Sequence, residues 1–224
     1  MDIKQPHNWN LSCAQARDLQ NALARKVRSS AIKRPPKTVA GIDCAFSKDK
    51  TRIGAIIVVL EYQTLKIIET VRAVAEVGFP YISGLLSFRE APVCVQAAKR
   101  LKITPDIFLI DGQGIAHPRR LGLASHLGLF LDKPTVGCAK SRLIGKFQPP
   151  PTEKGSYSPL TDKNEIIGAV LRTRTNVKPL FVSTGHKCTL DDAIKITLAC
   201  TPKYRLPEPT RLAHQMITRL KPEI

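Results

Sequence analysis

The sequence predicts an α/β fold: one mixed sheet, an antiparallel meander followed by parallel strands, flanked by helices. Three observations carry that prediction. Strand-like stretches at 38–46, 52–62 and 66–77 follow one another across short polar turns at 47–51 and 63–65, the spacing of an antiparallel meander. A buried-looking strand at 105–111, a helical stretch at 119–131 and a strand at 135–138 then form a strand–helix–strand unit, whose right-handed crossover makes a parallel pair. The 224 residues, 43% hydrophobic, suit a single domain spanning 1–224 with a sizeable core.

Each element has a local reason. Ser12 and Gln15 form a capping box ahead of Ala16, Leu19, Leu23 and Val27, which recur at helical spacing. Pro35 and Pro36 break that helix before the first strand. After the meander, 78–84 reads as a loop around Pro80, and 85–101 as a helix with Leu86, Val93, Ala97 and Leu101 on one side. Gly112 and Gly114 punctuate the end of the 105–111 strand. The Pro-, Ser- and Gly-rich stretch 147–160 reads as a surface loop, and 166–173 and 180–183 as strands. Thr189 with Asp192 caps a helix through Leu190, Ala193, Ile194, Thr197 and Leu198, and a last helix is expected at 209–220.

Composition narrows the function. Thirty-five Lys and Arg against 18 Asp and Glu give a formal charge of +17, and the basic residues are spread along the chain with clusters at 25–34, 99–102 and 140–146. A charged face for a polyanion follows, because each phosphate neutralised releases condensed counterions. The longest apolar stretch, 53–60, is too short to cross a bilayer, and the polar first ten residues lack the apolar core of a signal peptide. No membrane association and a cytoplasmic location are therefore expected. The six cysteines show no metal spacing, and several, such as Cys94 between Val93 and Val95, lie in apolar runs. Reduced core thiols fit that compartment.

Against this basic background, acids embedded in apolar sequence need a reason. Asp43 lies within Val39–Phe46, Asp111 ends the Ile107–Ile110 run, and Glu90 falls in the first turns of a helix. A buried carboxylate is protonated, paired or bound to a metal. Three acids at one end of a sheet would repel one another unless Mg²⁺ or Mn²⁺ sat between them. Taken singly, Asp43 and Asp111 also suit turns or caps, and Glu90 a pair with Arg89 or a nearby lysine. Asp111 followed by Gly112-Gln113-Gly114 suits the carboxyl end of a parallel strand, where crevices open. Lys140, just past an apolar strand, is placed to steady a phosphate or the attacking water, and on the residues alone equally suits a solvated lysine at a strand end. The chemistry these residues point to is metal-assisted phosphodiester hydrolysis, which many phosphoryl-transfer enzymes share.

Four blocks make the chain resemble the endonuclease V family: Val39-Ala40-Gly41-Ile42-Asp43; the stretch Phe79-Pro80-Tyr81-Ile82-Ser83-Gly84-Leu85-Leu86-Ser87-Phe88-Arg89-Glu90; Asp106 through Asp111-Gly112-Gln113-Gly114-Ile115-Ala116-His117-Pro118-Arg119-Arg120 to Gly128; and Pro134-Thr135-Val136-Gly137-Cys138-Ala139-Lys140-Ser141. The likeness spans Trp9 to the His214 region, and its second and third blocks are long and specific. The resemblance implies a ribonuclease-H-like fold and a nuclease that recognises inosine in DNA, with RNA open. It implies cleavage at the second phosphodiester 3′ to the lesion, in DNA repair. By the same resemblance Asp43, Glu90 and Asp111 are the Mg²⁺ ligands, with Mn²⁺ able to substitute. His214 is a further active-site residue, and His117 and Lys140 lie near the scissile phosphate. Tyr81 is the wedge that fills the gap left by the extruded base, while Gly84, Leu86 and Gly112 line the base pocket. A monomer is expected. His126 and His186 are expected to make structural hydrogen bonds.

One departure stands out: the family's wedge ordinarily reads Pro-Tyr-Ile-Pro, and here the fourth residue is Ser83. Losing the proline frees φ and loosens the loop. Two other readings stay open on the sequence alone, a related repair or junction nuclease without inosine preference and a non-catalytic binder of inosine-bearing strands.

Overall fold

The computed structural model describes residues 1–224, in which eight strands form one twisted sheet in the order β3-β2-β1-β4-β5-β8-β7-β6. In chain order the elements are α1 (Cys13–Ala24), β1 (Thr38–Phe46), β2 (Arg52–Glu61), β3 (Ile67–Glu76), α2 (Leu86–Ala98), β4 (Ile107–Ile110), α3 (Leu123–Leu131), β5 (Thr135–Ala139), β6 (Tyr157–Asp162), β7 (Glu165–Leu171), β8 (Leu180–His186), α4 (Leu190–Ala199) and α5 (Glu208–Leu220). The meander is antiparallel as the short turns require, and β1, β4 and β5 run parallel at the centre. Beyond them β8, β7 and β6 return antiparallel.

Helices cover both faces because strand alternation gives the sheet two apolar sides. Ala40 and Ile42 of β1 and Phe108 and Ile110 of β4 join the core under α2 and α3. Val39, Ile107 and Leu109 point the other way, into the core under α4 and α5. Gly41, on that second face, lets α5 approach: a Cβ there would stand 2.0 Å from the Pro209 carbonyl oxygen. No helix is long and apolar enough to cross a membrane.

The structure corrects five boundaries. α1 ends at Ala24, so Val27 lies beyond it. α2 ends at Ala98, short of Leu101, and Leu86 is 42% exposed rather than on the core side. The helix expected from residue 119 begins at Leu123, because the chain from Gly112 to Gly122 runs close against β8 and β5 and is not helical. The stretch read as loop to residue 160 contains β6 from Tyr157; Pro159 is tolerated there because β6 is the sheet's edge strand. The β8 strand runs on to His186, three residues past the expected end.

Candidate active site

Alternation along β1 places Asp43 on the same face as Val39 and Gly41, beneath α5. Because Ile42 is in register with Ile110 of the parallel neighbour β4, Asp111 emerges beside Asp43, and its N–H donates to the Ile42 carbonyl at 3.2 Å. The close seating of α5 brings His214 over the strand, with Nδ1 2.7 Å from Asp43 Oδ2. Lys140, one residue past β5, reaches Asp111 Oδ2 in a short ion pair. Asp43, Asp111 and His214 each offer a ligand atom, and all three atoms lie within 4.8 Å of one another.

Glu90 comes from the opposite face of the sheet, on the second turn of α2. It is outside that tight group but within its electrostatic reach: burial, then the Asp43 and Asp111 carboxylates, push its carboxyl up to about 8. Burial and Asp111 also raise Asp43, against the hydrogen bonds from His214 and the Cys44 N–H. Arg89 does not pair with Glu90. Its guanidinium lies 4.6 Å from the Phe46 ring centroid and donates to the Lys50 carbonyl at 3.5 Å. The carboxylates thus outnumber the one lysine paired among them, and their charge is unbalanced.

That arrangement fits a hard divalent cation. Carboxylate oxygens are the donors Mg²⁺ and Mn²⁺ take, an imidazole suits the softer of the two, and bonds of about 2.1 Å place neighbouring donors within the observed span. Burial first and mutual repulsion second raise these carboxyl groups, and a bound cation would offset both.

Next to the acids opens a cavity of about 370 Å³ walled by Glu90, Asp111 and Lys140 on one side and by Tyr81, Gly84, Leu86, Gly112 and His117 on the other. The wedge and base-pocket residues expected from the sequence (Tyr81, Gly84, Leu86, Gly112) therefore share one cavity, and His117, expected near the scissile phosphate, stands in the same wall. Tyr81 is 75% exposed at its mouth. His117 is buried, and its Nδ1 accepts the Arg119 N–H at 3.2 Å, which leaves Nε2 as the protonated nitrogen. Burial and then Arg119 hold its pKa down at about 4, so the ring is neutral at physiological pH.

The sequence missed the clamp behind this cavity. Gly84 adopts φ +78°, and its carbonyl accepts from Arg119 Nη2 at 2.8 Å and from Gln20 Nε2 at 3.1 Å. The fully buried Gln20 of α1 also donates to the Leu121 carbonyl at 2.8 Å and accepts from Arg119 Nε, so one side chain ties the two cavity loops together. No spacing rule announces a contact between residues 20 and 84; Gln20 on the apolar face of α1 was the available signal. Gln113 also lines the cavity: its Nε2 donates to the Ser141 carbonyl at 2.9 Å, while its buried Oε1 has no protein partner. It sat unremarked between the two glycines of the motif.

The three remaining histidines, His7, His126 and His186, make structural contacts, His7 Nε2 lying 2.8 Å from His126 Nε2. His126 Nδ1 is 3.0 Å from Ser87 Oγ, and His186 Nδ1 accepts the Arg28 N–H at 3.2 Å. All six cysteines are free.

A mixed sheet whose parallel strands deliver acids to one end, beside a cavity roofed by an exposed tyrosine, defines a nuclease of the ribonuclease-H-like class. The endonuclease V family model matches residues 21–215. The endonuclease V of Trichormus variabilis is 50% identical over 217 residues, covering 96% of this chain and 98% of its own. The Bacillus subtilis endonuclease V structure superposes with a TM-score of 0.94 at 35% identity, over 99% of this chain and 97% of that one. Ciona intestinalis endonuclease V, solved with a 24mer DNA containing an inosine followed by a ribo-adenosine, gives a TM-score of 0.80 at 32% identity over 92% and 96%. The chain belongs to the endonuclease V family.

Proposed function

We propose that this nuclease recognises inosine in a DNA strand, accepts RNA by the same base chemistry, and hydrolyses the second phosphodiester 3′ to the lesion as a repair step, with Mg²⁺ or Mn²⁺ as its metal. The carrying observation is the abutment of the Asp43–Asp111–His214 group on the cavity that gathers Tyr81, Gly84, Leu86, Gly112 and His117. The Ciona intestinalis complex with inosine-containing DNA supports the choice of base.

In this reading Asp43 and Asp111 hold the metal, His214 completes or orients the set through Asp43, and Glu90 offers a carboxyl from the α2 side that would ionise only beside the bound cation. When bound, the cation supplies charge neutralisation at the phosphate and a water of lowered pKa. Lys140, fixed by Asp111, keeps an ammonium beside the phosphate. Neutral His117, read as lying near the scissile phosphate, can donate from Nε2 without adding charge there. Tyr81 inserts at the mouth, offsetting part of the few kcal/mol that unstacking costs. Hypoxanthine differs from adenine by an acceptor O6 and a donor N1–H. Backbone amides near Gly84 and Gly112 suit the first, and the unpartnered Gln113 Oε1 is an acceptor for the second. All these groups come from one chain, so a monomer suffices, and nothing in the reaction calls for a compartment other than the cytoplasm.

The test is cleavage of matched DNA and RNA oligonucleotides, with and without inosine, under Mg²⁺ and then Mn²⁺. A nick confined to the inosine strand, one bond beyond the neighbouring nucleotide, is the expected result. Equal cutting of unmodified strands would remove the specificity, and binding without a nick at any metal concentration would remove the catalysis.

A further inference from the structure

One aromatic side chain near the acids takes no part in the steps above. Tyr204, in the loop between α4 and α5, is 41% exposed. The Arg211 guanidinium carbon lies 4.5 Å from its ring centroid and Lys203 Nζ 5.6 Å. Arg211 is itself gripped by Glu208, Nη2 to Oε2 at 2.5 Å and Nε to Oε1 at 3.0 Å. Its charge is thereby matched, and the pair serves as a stiff backing for the ring.

The loop is tied to the catalytic group from two directions. Arg205 Nη2 donates to the Lys140 carbonyl and to the Pro179 carbonyl, both at 2.8 Å, and Lys140 in turn contacts Asp111. Arg211 precedes His214 by one helical turn, so the two side chains share a face of α5. No residue of the 201–211 stretch lines the base cavity, while Arg205 lies within electrostatic reach of Asp111, so the loop meets the acids from outside that cavity. Lysines lie along it: Lys203 beside the ring, Lys154, whose Nζ donates to the Thr201 carbonyl at 2.6 Å, and Lys178, the residue before the Pro179 that Arg205 holds. None of the three pairs with an acid.

An exposed ring amid unmatched cations at the rim of a nuclease centre has the chemistry of a single-strand platform. Any base offers a π-face to the ring, and the lysines meet the phosphates without reading sequence. We propose that this loop is a subsite for the unpaired strand on the 3′ side of the cut, with a base stacked on Tyr204 and phosphates at Lys203 and Lys178. The direction rests on the reading above: a strand anchored by its lesion in the cavity and cut 3′ of it has crossed the acids when it reaches Tyr204.

The measurement uses single-stranded inosine oligonucleotides with a constant 5′ arm and one to six nucleotides beyond the cut. For the wild type, kcat/KM should climb as the first nucleotides are added and then level off. Tyr204→Ala should lower kcat/KM on the long arm about tenfold through KM, as loss of one stacked base predicts, while leaving the one-nucleotide arm unchanged. Tyr204→Phe should behave as wild type. Lys203→Gln should flatten the slope of log affinity against log salt by about 0.7, one phosphate's share on a single strand. A Tyr204→Ala loss that is equal at every arm length, or no loss at all, would overturn the subsite. An adenine-for-inosine series separates the two proposals: a wild type that cuts both bases alike yet keeps the arm-length dependence refutes inosine selection and leaves the Tyr204 subsite standing.

Discussion

Asp43 shows how a single residue's place follows from strand alternation. Two residues after Gly41, it must face α5, and the glycine lets that helix come close enough for His214 to touch its carboxylate. Removing the imidazole should loosen the metal and disorient Asp43. His214→Ala is expected to raise the Mg²⁺ concentration for half-maximal cutting by about 10- to 100-fold, the usual cost of losing a metal-site partner. A metal titration of the nicking rate checks this. His126 is a residue whose effect falls on stability. It is fully buried, and burial with His7 nearby drives its pKa down to about 3. In the unfolded chain it would titrate near the ordinary 6.5, so below that pH the unfolded state binds the extra proton. Stability from this group is therefore complete above pH 6.5 and is lost as pH falls toward 3, by about 2 kcal/mol at pH 5. Chemical denaturation at pH 7 and pH 5 should show a smaller difference for His126→Gln than for the wild type; an unchanged difference would rule the group out. The acids were readable as candidates because they stood out in apolar sequence, and His117 because it sits in a glycine-rich loop, whereas His214 entered only through the family likeness. Gln20 and Gln113 were not, since an amide side chain announces neither burial nor partners until the fold supplies them.

The element that chooses the substrate in the proposed function is the loop leading into α2, and its shape is set by neighbours distant in sequence. Gly84 at φ +78° is held by Arg119 and by Gln20 of α1. Gln20→Ala leaves two buried carbonyls without that donor, which should cost about 1–3 kcal/mol. For a chain of this length that is a drop in melting temperature of very roughly 2–12 °C, by the usual few degrees per kcal/mol. KM for inosine strands should rise with it as the loop loosens. At the tip of the same loop, Ser83→Pro restores a fixed φ and should lower KM on duplex substrates while leaving single-stranded ones alone, since only duplexes must be wedged open. Steady-state kinetics on both substrate forms checks the split. At this scale the meander was legible because its turns are short and its strands β-branched. The parallel centre was legible from its strand–helix–strand order. The β6 strand was hidden by Pro159 and the prolines at 149–151, residues that read as loop unless the strand is known to lie at an edge. The start of α3 was blurred because its N-cap is Gly122, with no side-chain cap to mark it.

Over the whole molecule, charge and topology divide the labour. The sheet concentrates negative side chains at one end of its parallel strands, in a chain whose overall charge is +17. The surplus cations attract the polyanion, and the acid cluster leaves room for a divalent ion between protein and phosphate. Strand affinity should therefore fall roughly a thousandfold between 50 and 200 mM salt if about six phosphates are contacted, which fluorescence anisotropy measures directly. The mixed sheet and its basic surroundings were open to sequence reading. The base to be recognised was not, because backbone amides and loop shape leave no compositional trace, and it entered only through the specific blocks at 79–90 and 106–128. The most direct test sets wild type and Asp43→Ala on one strand containing a single inosine and on its adenine twin, with Mg²⁺ present. Cutting of the inosine strand alone, lost by a hundredfold or more in Asp43→Ala, is the predicted result, of the order expected when a metal's charge stabilisation of several kcal/mol is removed. Equal cutting of the two strands, or full activity in Asp43→Ala, would contradict it.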